Sequence, residues 1–133
     1  MKAADSSLVV AAFASWHERH DSARRALDLG LQLVEHCAVE TYSVLTRLPP
    51  PHRASGELVR DFLRARFKVP FLRLTVEAHR KFLLGLPEQG IVGGAVYDAL
   101  VAATAAEHGA ELVSCDRRAA SVYARYGIRY QVL

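Results

Sequence analysis

The chain has 133 residues, of which 51% are hydrophobic and 23% are charged. This composition is typical of one folded domain with a sizeable core, and it excludes a disordered chain. No apolar run reaches the roughly 20 residues that a membrane helix needs. The formal net charge of +3 favours a polyanionic partner, but only weakly.

Two further features bear on the compartment. Met1 leads almost at once into a stretch that is typical of a strand, with no secretory leader. Cys37 and Cys115 lack the spacing of zinc ligands, and free thiols are favoured over a disulfide between them. We therefore expect a cytoplasmic protein with no membrane partner.

The first third of the chain alternates between strand and helix patterns. A strand is predicted over Met1–Ala4, followed by the capping turn Asp5-Ser6-Ser7 and an apolar helix over 8–14. Residues Trp16–Leu29 predict a second helix, with Trp16 in its apolar seam. Leu31–His36 is then expected to form a short strand.

The middle of the chain predicts two helices separated by a rigid connector. The first covers Cys37–Leu48 and has Glu40 in its first turn. Pro49–Pro51 cannot continue it and predicts an extended connector. The second helix covers Ser55–Phe67, with Ser55 as its N-cap. The residues expected to face the core are Cys37, Val44, Leu45, Leu48, Leu58, Phe62 and Leu63.

The last part of the chain completes the alternation. A strand is predicted over Pro70–Leu74, a helix capped by Thr75 as far as Leu84, and a loop over Pro87–Gly90. Beyond Asp116, Arg117–Tyr126 predicts a helix and Ile128–Leu133 a final strand.

The most informative stretch runs from Ile91 to Asp116. Its small apolar residues predict a buried helix that stops at Gly109, a residue type that favours a left-handed cap, before a strand over Glu111–Cys115. The residues three and four positions from Asp98 are all small or apolar, so its carboxylate does not lie on a polar helix face. Burying a carboxylate costs several kcal/mol unless a partner compensates. Asp98 therefore needs a cation or hydrogen-bond donors.

Strands that alternate with helices of this length predict an α/β fold in a single domain over residues 1–133, with a parallel sheet covered by helices on both faces. Ligands of such sheets bind beyond the carboxyl ends of the strands. Asp5 and Asp116 are both expected there, because each follows a predicted strand.

Four carboxylates are thus expected at one edge of the sheet: Asp5, Glu40, Asp98 and Asp116. For Asp5, a plain N-cap is an equally good interpretation. Acids that lie close together repel unless a cation lies between them, and Mg²⁺ or Mn²⁺ is the natural counter-ion for oxygen ligands. Metals held in this way activate water and stabilise a phosphoryl transition state. The set therefore predicts a metal-dependent phosphodiesterase.

Two arginines follow Asp116 directly. Arg117 and Arg118 are expected in the first turn of a helix, where a cation meets the unfavourable end of the dipole. Contact with a phosphate backbone near the metal would explain this placement, and solvated arginines paired with exposed acids are the alternative.

Four segments of the sequence together resemble those of a known family. The segments that carry the resemblance are Asp5-Ser6-Ser7, the helix Glu40–Arg47, the block Gly93-Gly94-Ala-Val-Tyr-Asp98-Ala-Leu100, and Leu112-Val-Ser-Cys-Asp116-Arg-Arg118. They span almost the whole chain. They resemble PIN-domain ribonucleases and, within them, the VapC toxins of bacterial VapBC toxin–antitoxin modules.

The resemblance implies a PIN-like three-layer α/β/α sandwich with a mostly parallel central sheet. It implies that Asp5, Glu40, Asp98 and Asp116 form an acidic Mg²⁺ or Mn²⁺ site, with Asp5, Asp98 and Asp116 as metal ligands. Ser6 stands where the family usually has threonine, and its hydroxyl is expected to reach the site.

The resemblance also implies a function and partners. These are a cytoplasmic endoribonuclease that cleaves RNA, a cognate VapB antitoxin that blocks it, a homodimer, and promoter DNA bound only through the antitoxin. The sequence leaves two alternative functions open. One is a PIN domain that has lost catalysis and serves as a binding scaffold, and the other is a receiver-like signalling domain.

Overall fold

The computed structural model describes residues 1–133, and four short strands in it form one sheet. The strands are β1 (Lys2–Ala4), β2 (Gln32–Leu33), β3 (Glu111–Ser114) and β4 (Tyr130–Val132). Their order across the sheet is β2-β1-β3-β4, and every neighbouring pair is parallel. The predicted parallel sheet is confirmed, and it is parallel throughout rather than mostly so.

Seven helices and one 3-10 turn connect and cover these strands, which confirms the expected α/β/α arrangement. The helices are α1 (Ser6–Phe13), α2 (His20–Asp28), α3 (Glu35–Arg47), α4 (Gly56–Arg66), α5 (Val76–Gly85), α6 (Ala95–Glu107) and α7 (Arg117–Arg125), and the 3-10 turn is Pro87–Gln89. None of these helices combines the length and the apolarity that crossing a membrane requires.

The core lies where α1 and α6 meet the centre of the sheet. Small residues with no exposed surface, such as Ala12 and Ala102, allow both helices to pack closely against their neighbours. Leu112 and Val113 of β3 are buried in the same cluster, which contains 23 buried residues. The apolar run around Asp98 is therefore core, as the sequence predicts.

Several predicted helix ends are confirmed by their capping geometry. The hydroxyls of Ser55 and Thr75 accept hydrogen bonds from the backbone N–H groups of Leu58 and Ala78, three residues further on. Gly109 follows α6 with φ of +62°, the left-handed conformation that lets glycine end a helix at low cost.

The predicted start of α2 is wrong. Residues 14–19 form turns instead, because His17 closes a turn onto the carbonyl of Ala14 and its ring accepts a hydrogen bond from the backbone of Arg19. Trp16 is therefore not part of a buried seam, and 49% of its surface is exposed.

The boundary between β2 and α3 also differs from the prediction. The strand stops at Leu33 and the helix begins at Glu35, two residues earlier than expected. Glu40 consequently lies in the second turn of α3 and not in the first. Its position owes nothing to the helix dipole, whose effect is confined to the terminal turn.

Two further expectations in this region are wrong. Residues 70–74 do not form a strand, and they contribute only a single bridge, between Leu72 and Val34. Pro70 has no N–H, so the pairing cannot extend to it. In α4, Phe62 and Leu63 pack against the core as predicted and Val59 is fully buried there, whereas Leu58 is 60% exposed.

The strand order fixes where a site can form. The chain leaves β1 for β2 on one side and later returns to β3 on the other side of β1. This divergence opens a crevice at the carboxyl ends of β1 and β3, which is the usual ligand position in such sheets. Asp5 directly follows β1, and Asp116 lies two residues beyond β3.

Candidate functional site

Asp5 occupies the centre of the crevice and is almost fully buried, with 3% of its surface exposed. Its Oδ1 accepts hydrogen bonds from the backbone N–H of Leu8 (3.1 Å) and the hydroxyl of Ser7 (2.6 Å). Its Oδ2 accepts one from the hydroxyl of Tyr123 (2.9 Å). Burial raises the pKa of Asp5, and these hydrogen bonds oppose that rise. Asp5 is thus both the N-cap of α1 and a held, buried acid, so its two interpretations do not compete.

A small hydroxyl network joins Asp5 to the end of β3. The hydroxyls of Ser7 and Ser114 lie 3.2 Å apart. Ser7 also accepts a hydrogen bond from the backbone of Cys115 (2.8 Å), and Ser114 accepts one from the backbone of Asp116 (2.9 Å). The backbone that leads into Asp116 is therefore fastened to the turn that carries Asp5.

Glu40 is held from two directions. The hydroxyl of Ser6 donates to its Oε1 (2.6 Å), and Nε2 of His36 lies 3.2 Å from its Oε2. The expectation that the Ser6 hydroxyl reaches the acids is confirmed by this contact. Ser6 and Glu40 are 34 residues apart in sequence, so the bond also ties α1 to α3.

Asp98 and Asp116 share one cation. Arg118 places Nη1 3.2 Å from Oδ2 of Asp98 and Nη2 3.1 Å from Oδ2 of Asp116. The backbone N–H of Arg118 also donates to Oδ1 of Asp116, which caps α7. Asp98, then Asp116, raises the pKa of the Arg118 guanidinium. Arg118 is therefore the compensating partner that the burial of Asp98 requires.

The electrostatics of Asp98 reflect a crowded site. Burial is the largest effect and raises the pKa of its carboxyl. Arg118 opposes that rise, while the negative charges of Asp116 and Glu40 add to it. The Asp98 side chain is 17% exposed, so solvent reaches it from one side.

Cys37 lies beneath three of the acids. Its pKa is raised first by complete burial and then by the charges of Asp5, Glu40 and Asp98. Cys115 has a pKa raised to about 11 by burial and by Asp5. Both cysteines are free, as predicted, and both thiols are held in the protonated, unreactive form.

The four predicted acids therefore gather at one edge of the sheet, yet they do not form a closed metal cage. No three acid, histidine or cysteine side chains are placed together so that they could hold an ion. Carboxylates without an intervening metal repel one another, and the single positive charge of Arg118 is shared between two of them. The donor set consists of carboxylate oxygens, which suits Mg²⁺ or Mn²⁺ chemically, although its ligand geometry is open.

The remaining basic residues differ in their surroundings. Arg117 is exposed and forms no ion pair, unlike Arg118. Arg47 and Arg53 donate to Ser43 and to the carbonyl of Leu48, so both are engaged around the end of α3. Arg117 is thus an exposed arginine that directly follows Asp116 and has no acid partner.

Sequence reasoning did not identify Ser7, Ser114, Tyr123 or His36 as parts of the site. Ser7 carried a signal, since it lies in the same turn as Asp5. The other three contact the acids through the folding of distant segments, and no local pattern distinguishes Tyr123 from an ordinary core aromatic residue.

Comparison with known proteins identifies the family of this chain. The family model described as "PIN domain" matches residues 3–125. Ribonuclease VapC40 of Mycobacterium tuberculosis is 45% identical over 133 residues, covering 100% of this chain and 99% of the relative. Ribonuclease VapC27 of the same species is 44% identical over 100 residues, covering 75% of this chain and 72% of the relative.

A solved structure supports the fold independently. The crystal structure of Mycobacterium tuberculosis VapC20, described as a Sarcin-Ricin loop cleaving toxin, superposes with a TM-score of 0.69 and covers 91% of this chain and 94% of that one. Its sequence identity of 16% makes it evidence for the fold alone. The family match and the full-length relatives carry the assignment: the chain belongs to the PIN-domain family and, within it, to the VapC group.

Proposed function

We propose that this protein is the toxin of a VapBC toxin–antitoxin pair and acts as an endoribonuclease that requires Mg²⁺ or Mn²⁺. The observation that carries the proposal is the gathering of Asp5, Glu40, Asp98 and Asp116 at the carboxyl edge of the sheet, where Arg118 bridges two of them. The relatives named as ribonucleases add support from sequence.

In this proposal Asp5, Asp98 and Asp116 hold the metal. When bound, the metal supplies an activated water and positive charge for the transition state of phosphodiester hydrolysis. Tyr123 and Ser7 keep the carboxylate of Asp5 in one orientation. Ser6 and His36 do the same for Glu40. In this proposal Glu40 would accept a proton from the attacking water.

Arg118 and Arg117 have different roles in this proposal. Arg118 donates a hydrogen bond to Asp98 and another to Asp116, and it so holds the two carboxylates close together. Arg117, which has no acid partner, contacts the RNA backbone close to the scissile phosphate.

The partners follow from the same proposal. A cognate VapB antitoxin covers the edge of the sheet that carries the four acids and prevents RNA from reaching them. The toxin is a homodimer in the cytoplasm, and it reaches promoter DNA only through the antitoxin. The receiver-like alternative is ruled out, because the chain belongs to the PIN-domain family.

One observation favours a second candidate, a PIN domain that binds partners without catalysis. The acids do not converge on an ion position, and a guanidinium occupies the space between Asp98 and Asp116. A scaffold that does not bind metal would show the same arrangement of acids and guanidinium, so the test must measure RNA cleavage.

A short pulse of expression followed by mapping of RNA ends tests the proposal. Growth arrest and new ends at defined positions are expected for the wild type, and Asp98→Asn should abolish both. Asp21→Asn, which changes an exposed acid on α2, is the matched control and should behave as the wild type. Co-expression of the antitoxin should suppress cleavage.

Asp5→Ala is a poor substitute for Asp98→Asn, because it also removes the cap of α1. Arrest that persists in Asp98→Asn, or an absence of new RNA ends in the wild type, would support the scaffold.

A further inference from the structure

Two aromatic rings form a stacked pair beside the acids. The rings of His36 and Tyr97 have their centroids 5.2 Å apart and their planes within 4° of each other. His36 lies on α3 and Tyr97 on α6, the two helices that carry Glu40 and Asp98. The stack therefore joins the two helices at the site.

The stack is directly connected to two of the four acids. Nε2 of His36 lies 3.2 Å from Oε2 of Glu40, and Tyr97 immediately precedes Asp98 in α6. An RNA whose scissile phosphate reaches these carboxylates must therefore place a neighbouring nucleotide close to the two rings.

Tyr97 packs against one aromatic ring and remains largely exposed to solvent. Although its ring stacks on His36, 56% of its surface faces solvent. The pair is thus fixed in orientation by one aromatic contact and still presents aromatic surface outward. Proteins that bind single-stranded nucleic acids stack the bases on exposed aromatic rings of this kind. Here the rings lie beside the acids that are proposed to act on the phosphate.

We propose that His36 and Tyr97 form a platform that stacks an unpaired RNA base next to the scissile phosphate. The proposal rests on the proposed ribonuclease function and assigns the residues that position the substrate beside the acids. Bases inside a duplex already stack on their neighbours, so the platform selects single-stranded segments or loops. Because every base has a π face, it favours unpaired RNA without choosing a particular base.

Binding of uncut RNA tests the platform apart from catalysis. The probe is a labelled oligoadenylate, and the comparison probe is an abasic RNA backbone of the same length, with both affinities measured by fluorescence anisotropy in EDTA. Tyr97→Leu removes the aromatic ring, whereas Tyr97→Phe keeps the ring and removes only the hydroxyl. Tyr42→Leu is the matched control, because Tyr42 is also exposed but contacts α4 at Gly56.

Tyr97→Leu should weaken oligoadenylate binding by about tenfold, the usual loss for one stacked base. Tyr97→Phe and Tyr42→Leu should bind as the wild type does. On the abasic backbone, wild type and Tyr97→Leu should bind equally, since no base is left to stack. This pattern isolates the coupling between the ring and the base.

Equal affinity of Tyr97→Leu and wild type for oligoadenylate would overturn the platform. So would an equal loss in Tyr97→Leu and Tyr97→Phe, or a loss that persists on the abasic backbone. A Tyr97→Leu defect confined to antitoxin binding would assign the rings to a protein partner and contradict the proposal. The assay contains no metal and no cleavage, so its result is independent of whether the nuclease assignment holds.

Discussion

The hydroxyl of Tyr123 donates a hydrogen bond of 2.9 Å to Oδ2 of Asp5, across 118 residues of sequence. Both side chains are buried, and Tyr123 is the largest fully buried residue in the protein. The last helix thus fixes the orientation of the first acid, and the stability of the fold and the geometry of the site depend on the same contact.

Tyr123→Phe is expected to lower the free energy of unfolding by about 1–3 kcal/mol, because it leaves a buried carboxylate without one of its donors. Urea denaturation measures the loss. Tyr126→Phe is the control, since the hydroxyl of Tyr126 bonds to Gln89 at an exposed position and should matter little. Equal losses in the two variants would contradict the role given to Tyr123.

Arg118→Gln is expected to bind Mn²⁺ more tightly than the wild type. The guanidinium competes with a metal for the oxygens of Asp98 and Asp116, so its removal leaves those oxygens free. Isothermal titration calorimetry provides the affinity. Arg117→Gln removes the same charge from the neighbouring position without freeing an acid, and it should change the affinity less. Weaker binding by Arg118→Gln than by Arg117→Gln would disprove the competition.

The raised pKa of Asp98 predicts a pH-dependent difference in stability. A carboxyl whose folded-state pKa lies above its ordinary value of 3.8 binds protons more tightly when folded. Its contribution therefore makes the folded state less stable as pH rises from 3.8 through the folded-state pKa, and it is constant above that. The pKa of Asp98 is raised even though Arg118 opposes the rise.

Asp98→Asn lacks this titration. The free energy of unfolding of the variant minus that of the wild type should therefore increase with pH across the window and then level off. Denaturation in EDTA at a series of pH values gives the curve. A difference that decreases as pH rises would mean that Asp98 is stabilised, and not destabilised, in its charged form.

Thr41→Val is expected to raise the free energy of unfolding by about 1 kcal/mol. The hydroxyl of Thr41 is buried without a hydrogen-bond partner, and valine has the same shape without the unsatisfied group. Thermal and urea denaturation test this. Thr46→Val is the control, because the Thr46 hydroxyl donates to the carbonyl of Tyr42 and its loss should not stabilise. A destabilised Thr41→Val would show that the hydroxyl has a partner.

Much of the site could be predicted because its residues conflict with their local surroundings. Asp98 interrupts an apolar helix, and Asp116 ends a buried strand, so each pointed to an unusual environment. The sheet follows from the alternation of elements, and the convergence of Asp5 and Asp116 follows from parallel strands. These features depend on short-range pattern and on a general rule of topology.

The rest depends on contacts between distant segments. The pairing of Arg118 with Asp98 joins residues 20 positions apart on different helices, and no periodicity encodes it. The bond from Tyr123 to Asp5 has the same character. The α2 helix begins later than the sequence predicts. Trp16 fits an apolar helix pattern, but turns at His17 determine the backbone there.

We propose above that carboxylates from distant segments form a metal site that cleaves RNA. Incubating purified protein with RNA in Mn²⁺, in Mg²⁺ and in EDTA tests it most directly, with Asp98→Asn and Asp21→Asn alongside. The wild type and Asp21→Asn should cleave RNA with either metal and not in EDTA, and correctly folded Asp98→Asn should not cleave it under any of these conditions. Cleavage in EDTA, or cleavage by Asp98→Asn at the wild-type rate, would contradict the proposal.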